Sequence, residues 1–570
     1  MLHLVSSAWD DYGGALSGPT QSVAPPDDVL PGEAPTGSPP ASRAGLDAWL
    51  RSRLDLIALL VVAVGFVLRL ITAAAGYLNP DEALHFLLAN QPSITFAYKA
   101  SLTTAHPPVF LLLLYLWRFF GNSELTIRLP YVLAGSAFPF VAFKWLGRAL
   151  GDIPALIGLI VLTFSPAMIW LSAEVRGYAL LLLFMASALY CLEKAFEEGS
   201  AGMMALSALF LYLGILTEYS GLWVTLALGV YALARILGRQ LPASVVKVWV
   251  GSQAGAMALY GFLYVVHISK LRGGGMEHEA VTGWLRNYYF QSGQDNLLLF
   301  PLQRSIAVFE YLFSQHAAAI PFLLAFLGGV VFLLVKGVPL RPHLSRRHDL
   351  GILLLLPFVL GCGAAILGVY PYGEMRHSAY LALFAVAGVS VLLGQLAGKR
   401  IWPVLLAAVV VVPVWNLTAT PPPQSIDPAN QSRAWMSKAV RHIRQSISPG
   451  GLLFVDRQTS RLLGYYLGKD QVIPFNQPQP RQDFFESPYG GYRVVSSKVG
   501  NFDAESFRDE LGRMREAYGV KPGEAVWIVD AGWGVNLYAE LTWESPRLYL
   551  PGLTFGDNIA VFQVAAGPRS

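Results

Sequence analysis

The chain has 570 residues, of which 54% are hydrophobic and only 14% charged, with a mean hydropathy of +0.47. A soluble protein carries roughly 25% charged residues, so this composition excludes an ordinary soluble enzyme and implies a polytopic membrane protein. The net charge of +4 is small and scattered, which gives no case for nucleic acid. Cys191 and Cys362 both lie in apolar runs, which excludes a disulfide framework and a thiol metal site.

Residues 1–50 begin with a stretch rich in Pro, Gly, Ser and Asp and carry neither a basic leader nor a cleavage motif. They read as a disordered cytoplasmic tail, not a signal peptide. Residues 51–420 read as a membrane domain. Apolar runs cover about 54–77, 128–148, 153–171, 177–196, 202–217, 219–236, 245–268, 317–336, 350–369, 377–397 and 401–417. Crossing the hydrocarbon takes roughly 20 residues, so the runs at 202–217 and 401–417 are short for the task.

Basic residues in short loops set the orientation. Arg51, Arg53, Lys144, Arg148, Lys194, Arg235 and Arg239 fall on one side if the spans number eleven. The cluster Lys336, Arg341, Arg346 and Arg347, with Lys399 and Arg400, joins them there. A cytoplasmic N-terminus and an external C-terminus follow. The apolar segment from Pro107 to Phe120 is short for a span, and counting it would invert every later loop. It reads instead as a juxtamembrane or re-entrant helix within one long outer loop, 78–127.

The remaining polar residues then gather on the outer face. They are Asp81, Glu82 and His85; His106; Glu174, Arg176 and Tyr178; and Glu218 with Tyr219. The loop near 270–304 adds Glu277, His278, Glu279 and Arg286, and a later one adds Tyr370, Tyr372, Glu374, Arg376 and His377. A pump would place ionisable groups near the middle of several spans, whereas here only Arg69 sits inside one. The pattern describes an active site at one membrane surface.

After Pro421-Pro422-Pro423, residues 426–570 read as a soluble α/β domain. Asp427–Ile447 is helix-like and basic on one side, Leu452–Asp456 and Ala525–Asp530 read as strands, and Phe507–Tyr518 as a helix. Neither strand leads into a Gly-rich phosphate loop. The domain suits a lid, an acceptor-binding module or a structural platform.

Asp81 and Glu82 follow Pro80, so both could simply favour the positive end of a helix. Their chemistry suits more. A carboxylate can take the proton of an acceptor hydroxyl attacking a sugar anomeric carbon, the role assigned to Asp81. Glu82 would position the acceptor or help to hold a metal. Arginine suits a departing phosphate through bidentate contacts, which makes Arg176 and Arg376 donor-phosphate candidates. Arg69 either reaches the lipid phosphate or snorkels to the interface. His85, His106, Tyr178, Glu218, Tyr219 and Glu374 are expected to line the acceptor side. Asp81, Glu82 and the two histidines could also assemble a divalent-metal site.

Several motifs carry a family resemblance. A span is followed by Asp81-Glu82, then by His106-Pro107-Pro108 opening an apolar helix, Gly121-Asn122-Ser123-Glu124 and Arg128-Leu129-Pro130. Ser165-Pro166, Glu174-Val175-Arg176-Gly177-Tyr178, Leu216-Thr217-Glu218-Tyr219 and Met375-Arg376-His377 extend the pattern. Over about 54–400 the chain resembles the polyprenyl-phosphate-dependent glycosyltransferases of the GT-C fold. Protein O-mannosyltransferases and bacterial lipid A aminoarabinose transferases look most similar. The resemblance implies a dolichyl- or undecaprenyl-phosphate sugar donor, catalysis by the first-loop Asp, and loop helices lying along the membrane surface. Glu218 stands where that family often carries His, and the chain after 425 supplies no acceptor by resemblance.

The expectation is therefore a GT-C-like polytopic helical membrane protein with about 11 transmembrane helices and a C-terminal α/β domain. It would transfer a sugar from a polyprenyl phosphate to a cell-envelope lipid, polysaccharide or protein at a bacterial inner or plasma membrane. A transporter or flippase for a lipid-linked saccharide is the alternative. It explains the spans but not an acid pair and His-Pro-Pro in one loop.

Overall fold

The computed structural model describes residues 41–238, 241–271, 281–337, 348–419, 431–476, 480–521, 523–533, 536–544 and 551–565. The expected tail before residue 41, Arg239, the Glu277-His278-Glu279 loop, Arg341, Arg346, Arg347 and the Pro421–Pro423 linker lie outside these. The chain divides into two units at Leu46, and of the first only the beginning of helix α1 (Ala41–Ser52) is described. Asp47–Ser570 forms one compact unit.

In that unit α2 (Leu54–Ala75) leads to three short helices, α3 (Pro80–Ala89), α4 (Ile94–Ser101) and α5 (Pro108–Trp117). The bundle continues with α6 (Glu124–Leu150), α7 (Asp152–Phe164), α8 (Pro166–Ser172), α9 (Tyr178–Glu198), α10 (Ala201–Ile215), α11 (Gly221–Leu237) and α12 (Ala243–Leu263). Then come α13 (Leu299–Phe313), α14 (His316–Lys336), α15 (Asp349–Ile366), α16 (Ala382–Ala397) and α17 (Trp402–Thr418).

Among the described residues seven helices are long and apolar enough to cross a membrane, and up to eight if the bent pair α7 and α8 counts as one. Four shorter apolar helices accompany them: Pro108–Phe120, Ala201–Ile215, Gly221–Leu237 and Trp402–Leu417. Three of these coincide with runs expected to span, and the first is the segment expected to lie along the surface. The eleven expected runs are thus all helical, but only some have full spanning length.

The 57° bend between α7 and α8 has a local cause. Pro166 lacks an N–H and disfavours helix at Ser165, so the last carbonyls of α7 lose their partners. Arg69 supplies them. Its guanidinium donates to Thr163 O at 2.9 Å, Leu162 O at 3.4 Å and Gly65 O at 3.1 Å. Arg69 is fully buried at this joint and neither snorkels nor reaches the Asp81 cluster, which corrects its candidacy as a phosphate ligand.

Ion pairs mark one end of the bundle. Arg51 pairs with Asp152, Lys144 with Asp55, Arg148 with Glu197, and Arg235 with Glu193 and Asp349. Arg51 also donates to Lys399 O. The described basic loop residues therefore share the end opposite to α3.

The C-terminal part contributes α18 (Arg433–Ser446), α19 (Arg457–Gly468), α20 (Ala504–Tyr518) and α21 (Leu537–Glu544). Its strands are β1 (Leu452–Val455), β2 (Pro480–Arg481), β3 (Phe484–Ser487), β4 (Arg493–Ser496), β5 (Val526–Ala531), β6 (Gly552–Thr554) and β7 (Ile559–Val564). They form one sheet in the order β2-β3-β4-β1-β5-β7-β6, parallel through β4, β1 and β5 and antiparallel outside them. The central β1 and β5 are the two strands expected from sequence, because burial on both faces makes them continuous apolar runs.

This sheet layer does not stand apart on a linker. Tyr77, Phe86 and Leu111 share a core with Met436, Leu463 and Val494. Helix α19 packs against α3 through Gly464, where a Cβ would sit 2.8 Å from Leu87 Cδ1 and 3.0 Å from Tyr489 Cζ.

Asp456 and Asp530 end β1 and β5 and are both buried. Burial raises the Asp456 carboxyl to about 6, against the hydrogen bonds that it accepts from Thr459. Burial, and then the neighbouring Asp456, raise Asp530 to about 8. A carboxyl whose folded pKa lies above its unfolded value of roughly 4 stabilises the fold at low pH and loses that contribution as pH rises through the folded value. Thermal unfolding in detergent should therefore show falling stability from about pH 5 to pH 8. Asp530→Asn should flatten the upper part of that slope, and an unchanged slope would refute the assignment.

Candidate active site

The site is built at the start of α3, where Asn79-Pro80-Asp81-Glu82 forms a capping box. Asn79 Oδ1 accepts from the backbone N–H groups of Asp81 and Glu82, at 3.0 and 2.9 Å, and Asn79 N–H donates to Glu82 Oε2. Pro80 at the first helical position leaves no orphan donor there. This geometry points the two adjacent carboxylates in different directions.

Glu82 is fully buried and saturated. Arg128 Nε donates to Oε1 at 2.8 Å and Arg128 Nη2 to Oε2 at 2.7 Å, while Val175 N–H also reaches Oε1. Arg128 spends its other donors on the carbonyls of Ala73, Gly76 and Tyr77. All four acceptor sites of Glu82 are taken by protein groups. The geometry therefore corrects its expected role of positioning the acceptor or helping to hold a metal: its oxygens are spent on Arg128 and on the backbone N–H groups of Asn79 and Val175.

Asp81 keeps its side chain 22% exposed and is met by arginines from three regions. Arg176 Nη2 donates to Oδ2 at 2.9 Å and Arg376 Nη2 to the same oxygen at 3.1 Å. Arg461 Nη1 lies 3.7 Å from Oδ1. Burial would raise this carboxyl, but the charges of Arg176, Arg376 and Arg461 outweigh it and hold Asp81 well below the usual carboxylate range.

Arg176 is itself fixed by Glu174, whose Oε2 accepts from Nε at 2.8 Å. Gly177 next to it lies against Thr217, so close that a Cβ there would be 2.7 Å from the Thr217 carbonyl oxygen. Arg376 opens the 3-10 segment Arg376–Leu381 before α16, and its buried Nη1 has no partner among the described residues.

A histidine layer lies beside the cluster. His85, one helical turn beyond Asp81, places Nδ1 2.9 Å from Val175 O. The carbonyl can only accept, so Nδ1 carries the proton. Burial, then His106 and Arg176, push His85 well below its ordinary value, so its ring is neutral. Its ring stands edge-on to His106, with centroids 4.9 Å apart. His106 Nδ1 lies 3.3 Å from Glu218 Oε2. Tyr219 contacts His267 Nδ1, and His267 Nε2 meets Thr104 O at 2.7 Å. Tyr178 stands edge-on to His377 at 6.0 Å.

The structure thus brings together Asp81, Arg176, Arg376 and His85, with His106, Glu218, Tyr219 and Tyr178 alongside. Glu374 stands apart, its carboxyl raised by burial and then by the nearby Glu310. Asp81, Glu82, His85 and His106 do not converge as a ligand set. Glu82 is saturated, His85 Nδ1 is spent on a carbonyl, and among the described residues no group of three His, Cys, Asp or Glu could hold a metal ion.

Arg461 escaped the sequence reading because it lies far along the chain in α19, where a basic residue looks like an ordinary solvated one. Arg128 lay within a motif but gave no sign of its partner. Tyr466 and Glu124 were likewise unmarked as a pair, yet the Tyr466 hydroxyl donates to Glu124 Oε1 at 2.5 Å.

The arrangement of helices and sheet matches that of ArnT from Cupriavidus metallidurans bound to undecaprenyl phosphate. The TM-score is 0.51 over 90% of this chain and 99% of that chain, at 15% sequence identity. This is a membrane protein with the GT-C glycosyltransferase fold. Residues 105–265 of this GT-C protein match the family model described as dolichyl-phosphate-mannose-protein mannosyltransferase. That segment contains His106, Arg128, Arg176 and Glu218. The family match and the fold together indicate a glycosyltransferase.

Two weaker structural likenesses accompany this one. The Saccharomyces cerevisiae protein O-mannosyltransferase Pmt1-Pmt2 complex bound to the sugar donor aligns at TM-score 0.31 and 15% identity, over 41% of this chain and 36% of that one. The Archaeoglobus fulgidus oligosaccharyltransferase complex with Zn and sulfate aligns at TM-score 0.47 and 12% identity, over 86% and 71%. No curated protein sequence matches the chain.

The two carboxylates should separate experimentally. Glu82→Gln leaves the Arg128 guanidinium buried without its counter-charge, and breaking a buried pair costs about 3–5 kcal/mol. Its melting temperature in detergent should therefore fall sharply. Asp81→Asn should shift it much less, since Arg176 keeps Glu174. Equal shifts would refute the division of roles.

Proposed function

We propose that this GT-C protein transfers a sugar from a polyprenyl phosphate to a hydroxyl-bearing cell-envelope acceptor, which is a lipid, a polysaccharide or a protein. The reaction takes place at the end of the bundle that carries Asp81, and the basic residues at the opposite end support the outer face as its location. The observation that carries this reading is the convergence of Arg176 and Arg376 on one Asp81 oxygen, with Arg376 Nη1 buried and unpaired beside it. Cations gathered around a single carboxylate at a membrane surface form a cradle for a lipid phosphate. Undecaprenyl phosphate, the ligand bound to the C. metallidurans protein, is a donor carrier of this class.

In the proposed sequence the donor phosphate takes up Arg176 and Arg376 in place of Asp81. Losing those two charges raises the Asp81 pKa and makes the carboxylate a competent base. The acceptor oxygen then bonds to the anomeric carbon and its proton passes to Asp81. The bond from that carbon to the phosphate oxygen breaks, its electron pair leaves with the polyprenyl phosphate, and the two arginines stabilise the departing charge. His85 is neutral and packs beside Asp81 without competing for the arginines. Glu82 and Arg128 hold the loop that carries the base.

Two substitutions test the roles. General-base catalysis contributes about 10²–10⁴-fold, so Asp81→Asn should lower turnover by that range while lipid-phosphate binding persists. Turnover near wild type, on purified protein with a matched melting temperature, removes Asp81 from the chemistry. Arg376→Ala removes a charge-assisted contact worth about 1.5–3 kcal/mol and should weaken donor use correspondingly. An unchanged donor KM and turnover would refute the phosphate role. Incubation with labelled polyprenyl-phosphate sugars distinguishes the classes: transfer releases polyprenyl phosphate, whereas a flippase would move the lipid intact.

A further inference from the structure

A cavity beside the site described above has no part in the chemistry so far. Between α3 and the C-terminal sheet lies an open cleft of about 310 Å³, at the small end of the usual range for ligand pockets. Leu87 of α3 lines it, as do Arg457 and Arg461 on the first turns of α19. Phe485 and Tyr489 offer aromatic faces. Its lining among the described residues includes these two arginines and no Asp or Glu, so its charged groups are cationic. Arg461 both lines the cleft and lies 3.7 Å from Asp81 Oδ1, so the cavity opens beside the carboxylate assigned as base.

We propose that this cleft is the acceptor site and that it takes a saccharide carrying an anionic group. This rests on the transferase reading. The anionic group is met by Arg457 and Arg461 as charge-assisted partners, and the sugar rings lie against the aromatic and leucine side chains. Arg461 couples recognition to chemistry. An acceptor anion that engages it draws a third cation away from Asp81 while the acceptor hydroxyl comes within reach. The step itself is unchanged: the hydroxyl oxygen bonds to the anomeric carbon, the proton goes to Asp81, and the polyprenyl phosphate leaves. The C-terminal domain is then an acceptor-recognition layer joined to the catalytic loop through α3 and α19.

The test uses the full-length protein in lipid nanodiscs. Saturation-transfer NMR would be recorded with digalacturonate, with the neutral disaccharide maltose, and with glucose 6-phosphate to separate carboxylate from phosphate recognition. Undecaprenyl phosphate binding is measured in parallel. At least one anionic probe should bind and maltose should not. Arg457→Gln should weaken the anionic probe by about tenfold, the loss expected for one charge-assisted contact, with undecaprenyl phosphate binding retained. Ser460→Phe, which fills the cleft without removing a charge, should also abolish saccharide binding. It serves as the second variant if Arg457→Gln fails to fold.

Equal binding of maltose and the anionic probes overturns the proposal, as does undiminished anion binding in either folded variant. Wild-type protein that binds undecaprenyl phosphate but neither anionic saccharide overturns the acceptor site and leaves the transferase reading standing. Protein that binds an anionic saccharide but no undecaprenyl phosphate overturns the transferase reading and the acceptor role with it.

Discussion

The buried pair of Arg128 and Glu82 is the constraint on which the rest of the site depends. Removing two charges from water costs several kcal/mol per ion, and only complete pairing repays it. Here pairing is complete, because all five guanidinium donors and both carboxylate oxygens are used. The pair ties the end of α2, the start of α3, the second turn of α6 and the backbone before Arg176 into one knot. That knot fixes where Asp81 points, and through Val175 it also fixes where Arg176 and His85 lie.

Adjacent residues thereby acquire opposite characters. Glu82 faces inward onto one arginine and is saturated, while Asp81 faces the partly open side and shares its charge among several. The same residue chemistry serves structure at one position and reactivity at the next, a division set entirely by surroundings. An ordinary helix cap would have left both carboxylates hydrated.

The C-terminal layer belongs to the same assembly. Ser432 pairs with Gly76 in a short antiparallel bridge, and Gln431 O accepts from Tyr77 N–H at 3.0 Å. The Tyr466 hydroxyl accepts from Leu78 N–H and donates to Glu124, which also pairs with Arg433. The backbone leading into α3 is thus held by Arg128 of α6, through the Gly76 and Tyr77 carbonyls, and by the C-terminal layer, through the Tyr77 and Leu78 N–H groups. Such bracing suits a loop that must present one carboxylate to several cations whose mutual repulsion works against the arrangement.

Much of this protein could be read along the chain. Periodic apolar runs place the membrane helices, because burial in lipid tolerates few charges and leaves an unmistakable local pattern. The β1 and β5 runs announce buried strands, and Asp81, Arg176 and Arg376 stand out as ionisable residues at helix ends, whereas the run 153–171 reads as one span and the structure breaks it at Pro166. Shorter edge strands such as β2 and β6 carry no such pattern and went unseen. What the tertiary structure alone decided is which charges meet. Arg69 turns to broken-helix carbonyls, Arg128 takes Glu82, and Arg461 arrives at Asp81 from a domain hundreds of residues away. Local sequence encodes hydrophobicity and backbone preference over a few residues, whereas ion pairing depends on three-dimensional proximity, which only the packed fold supplies.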